Sequence, residues 1–218
     1  EGRDANGYRV VNCHLPWSNS RVYWDAGNDA GSSYDRVDQL ANFDDFAGKW
    51  NHWAFTKNVL TGEMITYLNG SVFMSATGKT KLMEGIEKFR IGGTASSGYN
   101  GVYDGKIDEF RIWNTALDQT IIQNWMYKNI DSSHPNYSHL QAAYSFNELS
   151  GLFAFDYTGN SNTAELLGLP EWKLQEGGNV FMNVAQTTNR PFMALTQGNY
   201  VYHLDSVIIT DTLINSPI

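Results

Sequence analysis

The chain has 218 residues, of which 42% are hydrophobic and 14% aromatic, and its formal net charge is −8. This composition excludes a disordered chain and is typical of a globular protein with a sizeable core in one or two domains. The acidic balance, without any Lys/Arg-rich run, argues against nucleic acid or an anionic membrane surface as a partner, and no apolar run approaches the ~20 residues of a transmembrane helix.

The residue types favour β-structure. Seven Trp, twelve Tyr and twenty Gly accompany only 17% charged residues, and aromatic residues fit pleated surfaces. The single Cys13 excludes an internal disulfide and lies beside no metal-ligand spacing, so we expect a small core residue. The five His residues show no zinc-ligand spacing, and no serine hydrolase motif is present.

The first predicted elements are two short strands in residues 8–24, which flank the turn PWSNS. A loop rich in Gly, Asn, Asp and Ser follows, and then the alternating strand WNHWAFTKN. The clearest local signal is EMITYLNGSVFMSA, in which Asn69 and Gly70 predict a type I′ turn that pairs residues 64–68 with 71–75. We therefore expect structural roles for Asn69 and Gly70.

The stretch DGKIDEFRIWN, residues 104–114, predicts a strand that contains two adjacent carboxylates. Alternation would place Asp108 and Glu109 on opposite faces, so they cannot act as a catalytic pair on one substrate atom. We expect Asp108 to be structural and half buried, with backbone N–H groups capping its carboxylate. Glu109 and Arg111 are expected to form a solvated ion pair.

Beyond residue 114 the hydrophobic period changes. LDQTIIQNWMYKNI places its apolar residues at helical spacing and predicts one short amphipathic helix, capped by Asn114 or Thr115. The polar connector DSSHPNYSH follows, and AAYSFNE, FAFDYTGNSN and NYVYHLDSVIITD return to β patterning. Many short strands with one helix predict an antiparallel β-sandwich.

The order of WNHWAFTKN, GEMITYLNGSV, KFRIGG and YDGKIDEFRIWNTALDQTII resembles the second half of laminin-G-like jelly-roll domains in the concanavalin A-like lectin and glucanase superfamily. The resemblance covers roughly residues 8 to 130. It implies an all-β, two-sheet antiparallel jelly-roll sandwich, usually a non-catalytic module of secreted or surface proteins that binds glycans or proteins or spaces neighbouring domains. Residues 140–172 look like a segment that opens or joins such modules in multidomain bacterial surface proteins.

We therefore expect three parts: a laminin-G-like module at residues 1–130, a connector with strands that resemble the start of a further module at 131–175, and a β segment of unknown type at 176–218. The resemblance also implies opening strands before residue 1, so we expect a piece of a longer bacterial-type surface or secreted protein. Three sources of those strands stay open: an upstream part of the same polypeptide, a neighbouring copy, or the AAYSF and VYHLDSVIIT strands folding back.

Aromatic residues in or beside loops are the candidates for a surface that stacks on sugars. They are Trp17, Trp24, Tyr34, Tyr99 and Tyr103. Oxygen-bearing loop residues are candidate ligands for Ca²⁺, although the capping of turns by the same side chains is the plainer interpretation and no cofactor is required. They are Asp25, Asn28, Asp29 and Asp104.

Together these features predict a non-catalytic binding or spacer module of an extracellular or cell-surface protein. A glycan or a surface protein is the expected partner, alongside flanking domains of the same polypeptide. The alternative is an accessory domain of a multidomain glycan-acting enzyme whose active site lies outside this chain. A glycosidase that uses the sandwich directly is disfavoured, because no recognisable strand carries two acids one pleat period apart.

Overall fold

The computed structural model describes residues 1–28, 33–95, 101–168, 170–174 and 180–183. Asp29, Tyr99 and the predicted strand at residues 201–210 lie outside the described residues. The elements are β1 (Gly2–Arg3), β2 (Arg9–His14), β3 (Arg21–Ala26), β4 (Asp35–Leu40), α1 (Phe43–Phe46), β5 (Trp53–Asn58), β6 (Glu63–Leu68), β7 (Ser71–Ala76), β8 (Lys88–Phe89), β9 (Phe110–Trp113), α2 (Gln119–Trp125), a 3₁₀ turn (Tyr137–His139), β10 (Leu140–Tyr144), β11 (Phe153–Ala154), β12 (Ala164–Glu165), β13 (Glu171–Leu174) and β14 (Val180–Asn183). The paired strands are antiparallel, so the all-β prediction is confirmed.

Two layers form the sandwich. The first is a five-stranded sheet in the order β4-β3-β2-β1-β8, and the second contains the three-stranded sheet β5-β6-β7. Between them lies a core to which Val22 and Trp24 contribute from the first layer and Trp53, Met64 and Met74 from the second. Burial of these large apolar side chains holds the two layers together.

The hairpin between β6 and β7 is confirmed. Asn69 and Gly70 have φ angles of 50° and 76°, as a type I′ turn requires, and Leu68 pairs with Ser71. The turn also positions α2, because Gln119 and Gln123 both donate side-chain hydrogen bonds to the Gly70 carbonyl, at 2.9 and 2.8 Å.

The helices differ from the prediction in two respects. Asp118, rather than Asn114 or Thr115, caps α2, and its carboxylate accepts a hydrogen bond from the Ile121 backbone. A second short helix, α1, was not predicted. It begins after Asn42, whose backbone N–H donates to the Asp45 carboxylate. A helix of four residues is too short to show a hydrophobic period, so the sequence pattern did not reveal it. Neither helix is long and apolar enough to cross a membrane, and the same holds for every helix within the described ranges.

Residues beyond the predicted module boundary pack onto the module. Strand β10 pairs antiparallel with β9, so that Tyr144 lies opposite Phe110. Both rings belong to one buried cluster that also contains Ile107 and Phe146. Residues on both sides of the expected boundary at residue 131 therefore share one buried cluster, while the division into three parts and the source of the opening strands stay predictions.

The far edge of β10 is covered by a polar loop. Asn160 and Asn162 donate side-chain hydrogen bonds to the Gln141 carbonyl, at 3.0 and 2.9 Å. Asp156 accepts from the backbone N–H groups of Ala143 and Thr158, at 3.1 and 3.0 Å. The oxygen-rich DYTGNSN stretch thus satisfies main-chain groups at a sheet edge.

The carboxylates at 108 and 109 depart from the predicted strand. Strand β9 begins at Phe110, and Glu109 has a φ of 48°, so the alternation does not extend back to Asp108. Asp108 is buried rather than half buried, and its Oδ1 accepts from the Glu109 backbone N–H at 2.9 Å. The ion pair of Glu109 with Arg111 is buried, not solvated, and the same guanidinium donates to the Lys128 carbonyl at 3.0 Å.

We expect Gly70→Val to destabilise the protein by about 3 kcal/mol, because the left-handed φ disfavours a β-branched residue and an added Cβ would lie 2.9 Å from Gln123 Cγ. Gly78→Val is the matched control, since Gly78 has a φ of 71° with no atom near the added Cβ. Urea unfolding should show the smaller loss for Gly78→Val; equal losses would contradict the role of helix α2 at the turn.

Arg111→Met should lower the free energy of unfolding by about 3 kcal/mol, because it removes a buried guanidinium that pairs with Glu109 and donates to the Lys128 carbonyl. The control is Arg21→Met, which removes a half-exposed guanidinium from its pair with Asp38 and should cost less than about 1 kcal/mol. Urea unfolding of both variants measures the difference, and similar losses would contradict burial of the Glu109 pair.

The environment of His134 leads us to expect that the protein loses stability in acid. Its ring lies 4.6 Å from that of Trp113 and 4.7 Å from that of Trp125, and burial, with Arg111 nearby, lowers the pKa of His134 to about 4. The unfolded chain therefore takes up a proton at higher pH than the folded one, and up to about 3 kcal/mol is lost as pH falls from 6.5 to 4. Unfolding at several pH values should give a shallower dependence for His134→Gln than for the unchanged protein; the same slope in both would contradict this assignment.

Candidate functional site

The outer face of the first layer carries the candidate site. Trp24 points into the core, so the alternation of β3 turns Tyr23 and Asp25 to the opposite face. In the register of this sheet His14 lies opposite Tyr23, and Arg36 lies opposite Asp25. Side chains from three neighbouring strands therefore meet on this face.

A fully buried carboxylate organises the polar part of this face. Asp25 accepts from Arg36 Nε at 2.6 Å on Oδ1 and from Arg36 Nη2 at 2.8 Å on Oδ2. Arg9 Nη1 donates to the same Oδ2 at 2.8 Å. Two guanidinium groups offset the desolvation of one buried charge.

Both guanidinium groups contact the ring of Tyr34. Their central carbons lie 5.1 Å (Arg9) and 5.2 Å (Arg36) from the ring centroid of Tyr34, and Arg36 also lies 4.6 Å from the centroid of Tyr23. The hydroxyl of Tyr34 accepts from Arg36 Nη2 at 3.2 Å. These cation–π contacts fix the planes of both rings.

A second aromatic group adjoins the first. Trp17 is 37% exposed, and its ring lies edge-on to His14 with 4.5 Å between centroids. His14 also contacts Tyr23 at 5.8 Å, and Asn19 Nδ2 donates to the Tyr23 hydroxyl at 2.7 Å. Burial, with the charges of Arg9 and Arg36, lowers the pKa of His14 to about 4, so its ring is neutral near pH 7.

We call this surface the outer-face patch. Its residues are His14, Trp17, Asn19, Tyr23 and Tyr34 together with the ion-pair cluster Arg9, Asp25 and Arg36. A cleft adjoins the patch, and consecutive residues of β5 and of β9 line it. Because alternate residues of a strand point to opposite faces, lining by consecutive residues means that the strand edges face the cleft.

The predicted aromatic residues separate into distinct environments. Trp17 and Tyr34 lie on the outer-face patch. Trp24 is not a surface ring, because it is buried in the core and its Nε1–H donates to the Thr56 carbonyl at 3.1 Å. Tyr103 is partly buried against both large core clusters and lines the cleft.

The predicted metal ligands do not form one group. The prediction of Asp25 as a calcium ligand is corrected. Both of its carboxylate oxygens accept hydrogen bonds from arginines, whose positive charges repel a cation. Asp104 is exposed, whereas Asn28 is buried. The Asn28 amide nitrogen donates to Asp4 Oδ2 and to the Glu84 carbonyl. Calcium binding at Asn28 or Asp104 stays a prediction. Within the described part of the chain, no three His, Cys, Asp or Glu side chains are placed to hold a metal ion.

Sequence reasoning missed His14, Tyr23 and Arg36. The stretch RVYWD contained a usable signal, since a strand that buries Trp24 must present Tyr23 and Asp25 on its other face. No local pattern in β4 indicated the role of Arg36. Arg36 lies beside Asp25 only because of the register between β3 and β4, which a local sequence pattern does not reveal.

Comparison with known proteins agrees with this architecture. Residues 3–123, more than half of the chain, match the laminin G family model described as the concanavalin A-like lectin/glucanases superfamily. The protein is thus a laminin-G-type β-sandwich. It belongs to the Laminin_G_3 family of that superfamily.

A solved structure shares the fold. It is the crystal structure of a proposed carbohydrate-binding protein from Bacteroides ovatus ATCC 8483, which is 17% identical in sequence and superposes with a TM-score of 0.53. The match covers 84% of this chain and 48% of the other, so the chain spans about half the length of that protein. No curated protein matches the sequence.

Proposed function

We propose that the chain is a non-catalytic carbohydrate-binding module and that the outer-face patch holds the sugar. The observation that carries the proposal is the exposed ring of Trp17, backed by His14 and set beside Tyr23 and Asn19. Aromatic faces stack on the apolar faces of pyranoses, and planar polar side chains hydrogen-bond to the hydroxyls around them. The patch supplies both on a rigid sheet.

Membership of a lectin and glucanase superfamily supports a role with glycans, as does the proposed carbohydrate binding of the Bacteroides ovatus protein. The same membership supports an extracellular or cell-surface location. Because the chain spans about half of that structural neighbour, flanking domains of the same polypeptide are the neighbours that we propose for it.

The carboxylates near the patch support binding rather than catalysis. Asp25 is held by two arginines. Burial raises the pKa of Glu1, but hydrogen bonds from Arg3, Thr94 and the Ala95 backbone outweigh it and hold that pKa at about 2. A general acid needs a proton near neutral pH, and Glu1 is not placed to keep one.

The second candidate is an accessory role in a longer glycan-acting protein. The partial coverage of the structural neighbour favours it, since a chain that matches 48% of a longer protein is compatible with an active site elsewhere. Hydrolysis assays of residues 1–218 on β-glucans test whether this chain is itself a glycosidase. The binding module and the accessory role both predict no turnover, so measurable turnover would contradict both.

Trp17→Ala should reduce glycan affinity at least about tenfold, because loss of one stacking ring in a sugar site removes on the order of 1 to 2 kcal/mol. The measurement is a glycan array to find ligands, followed by calorimetric titration of the best one. Melting temperature should change little, since the Trp17 side chain is partly exposed.

Tyr127→Ala is the matched control, because Tyr127 is a 55% exposed aromatic residue just beyond α2 and away from the patch. Its affinity should equal that of the unchanged protein. An equal loss in both variants, or full affinity in Trp17→Ala, would contradict the assignment of the outer-face patch.

A further inference from the structure

We propose that the outer-face patch selects glycans that carry carboxylate groups, namely uronic acids, and that Arg9 and Arg36 bind the carboxylate. This inference rests on the proposed function, since it names the class of sugar that the same patch takes. It goes beyond that function because an aromatic sugar platform alone does not discriminate acidic from neutral sugars.

The first support is the arrangement of hydrogen-bond donors. Arg36 binds Asp25 and the Tyr34 hydroxyl through Nε and Nη2, and Arg9 binds Glu1 and Asp25 through Nε and Nη1. Arg36 Nη1 and Arg9 Nη2 therefore make no hydrogen bond to any residue that the structure describes. The side chains are 38% and 22% exposed, so the guanidinium groups are accessible from solvent.

The second support is pre-organisation. One buried carboxylate holds both guanidinium groups, and both also contact the Tyr34 ring, so much of their side-chain entropy is already lost before a ligand arrives. Binding to fixed donors costs less than binding to free arginine side chains. Asp25 thereby fixes the positions of the Arg9 and Arg36 guanidinium groups before a ligand binds.

The third support is local charge. The ion-pair network of Arg3, Arg9 and Arg36 with Glu1 and Asp25 carries one net positive charge on a chain of net charge −8, and the neighbouring Asp38 is paired with Arg21. An anionic ligand is attracted to such a surface.

Shape favours a carboxylate over other anions. Planar guanidinium groups match a planar carboxylate through paired N–H donors. In a uronic acid that carboxylate is attached to the pyranose ring itself, within reach of the rings of Tyr23 and Trp17 that adjoin the cluster. A sulfated sugar offers the same charge in tetrahedral form, and the experiment below includes it.

The test uses the full chain and calorimetric titration with oligosaccharides of galacturonate, glucuronate and mannuronate. Each is paired with its methyl ester, which has the same sugar backbone without the charge, and a sulfated galactose oligosaccharide is included. We expect at least one uronate to bind roughly tenfold more tightly than its ester in 50 mM salt, with a smaller difference in 300 mM salt because the attraction is screened.

Variants assign the effect to the residues. Arg36→Gln should remove most of the preference for the acid over its ester, and Arg36→Lys is the second variant if loss of an Asp25 partner lowers stability. Arg21→Gln is the matched control, because Arg21 is a similarly exposed arginine of the same sheet that pairs with Asp38, and it should keep the preference. Trp17→Ala should weaken acid and ester alike.

The outcomes separate this inference from the proposed function. Equal binding of every acid and its ester, or a preference that survives in both Arg36 variants, would overturn uronate selection while sugar binding stands. Tighter binding of the sulfated sugar than of any uronate would overturn the carboxylate assignment. Absence of binding to every oligosaccharide tested and on the glycan array would overturn both.

Discussion

The buried ion-pair cluster at Asp25 is the interaction on which the functional face depends. Asp25 has no exposed surface, so its charge requires partners, and it draws Arg9 from β2 and Arg36 from β4 onto the strand between them. The guanidinium groups in turn orient the rings of Tyr23 and Tyr34. One desolvated carboxylate thus joins three strands and sets the geometry of the aromatic surface above them.

The opposite face of β3 is apolar. Trp24 and Val22 pack against Trp53 and the two buried methionines of the second layer, which fixes the orientation of β3. A one-residue slip of β3 would bury Tyr23 and expose Trp24, so the core and the patch specify one register together. Core packing therefore positions the site, although none of the core residues belongs to it.

Residues that follow α2 pack onto strand β9. Pairing of β10 with β9 brings Tyr144 and Phe146 onto Phe110, and the amides of Asn160 and Asn162 cover the far edge of β10. On its other side β9 lines the cleft, as β5 does across from it. Among the described residues, β9 and β5 each pair with one neighbouring strand, so each leaves one edge on the cleft.

The sequence by itself determined the all-β class, the family and the Asn69-Gly70 hairpin, because these follow from local preferences and from ordered motifs. It also placed Trp17 and Tyr34 among the surface aromatics. Only the tertiary structure decided that Trp24 is core, that Glu109 and Arg111 pair out of solvent, and that Arg36 reaches Asp25. The physical reason is that burial and cross-strand register depend on which layer covers a face, and residues distant in the chain supply that layer.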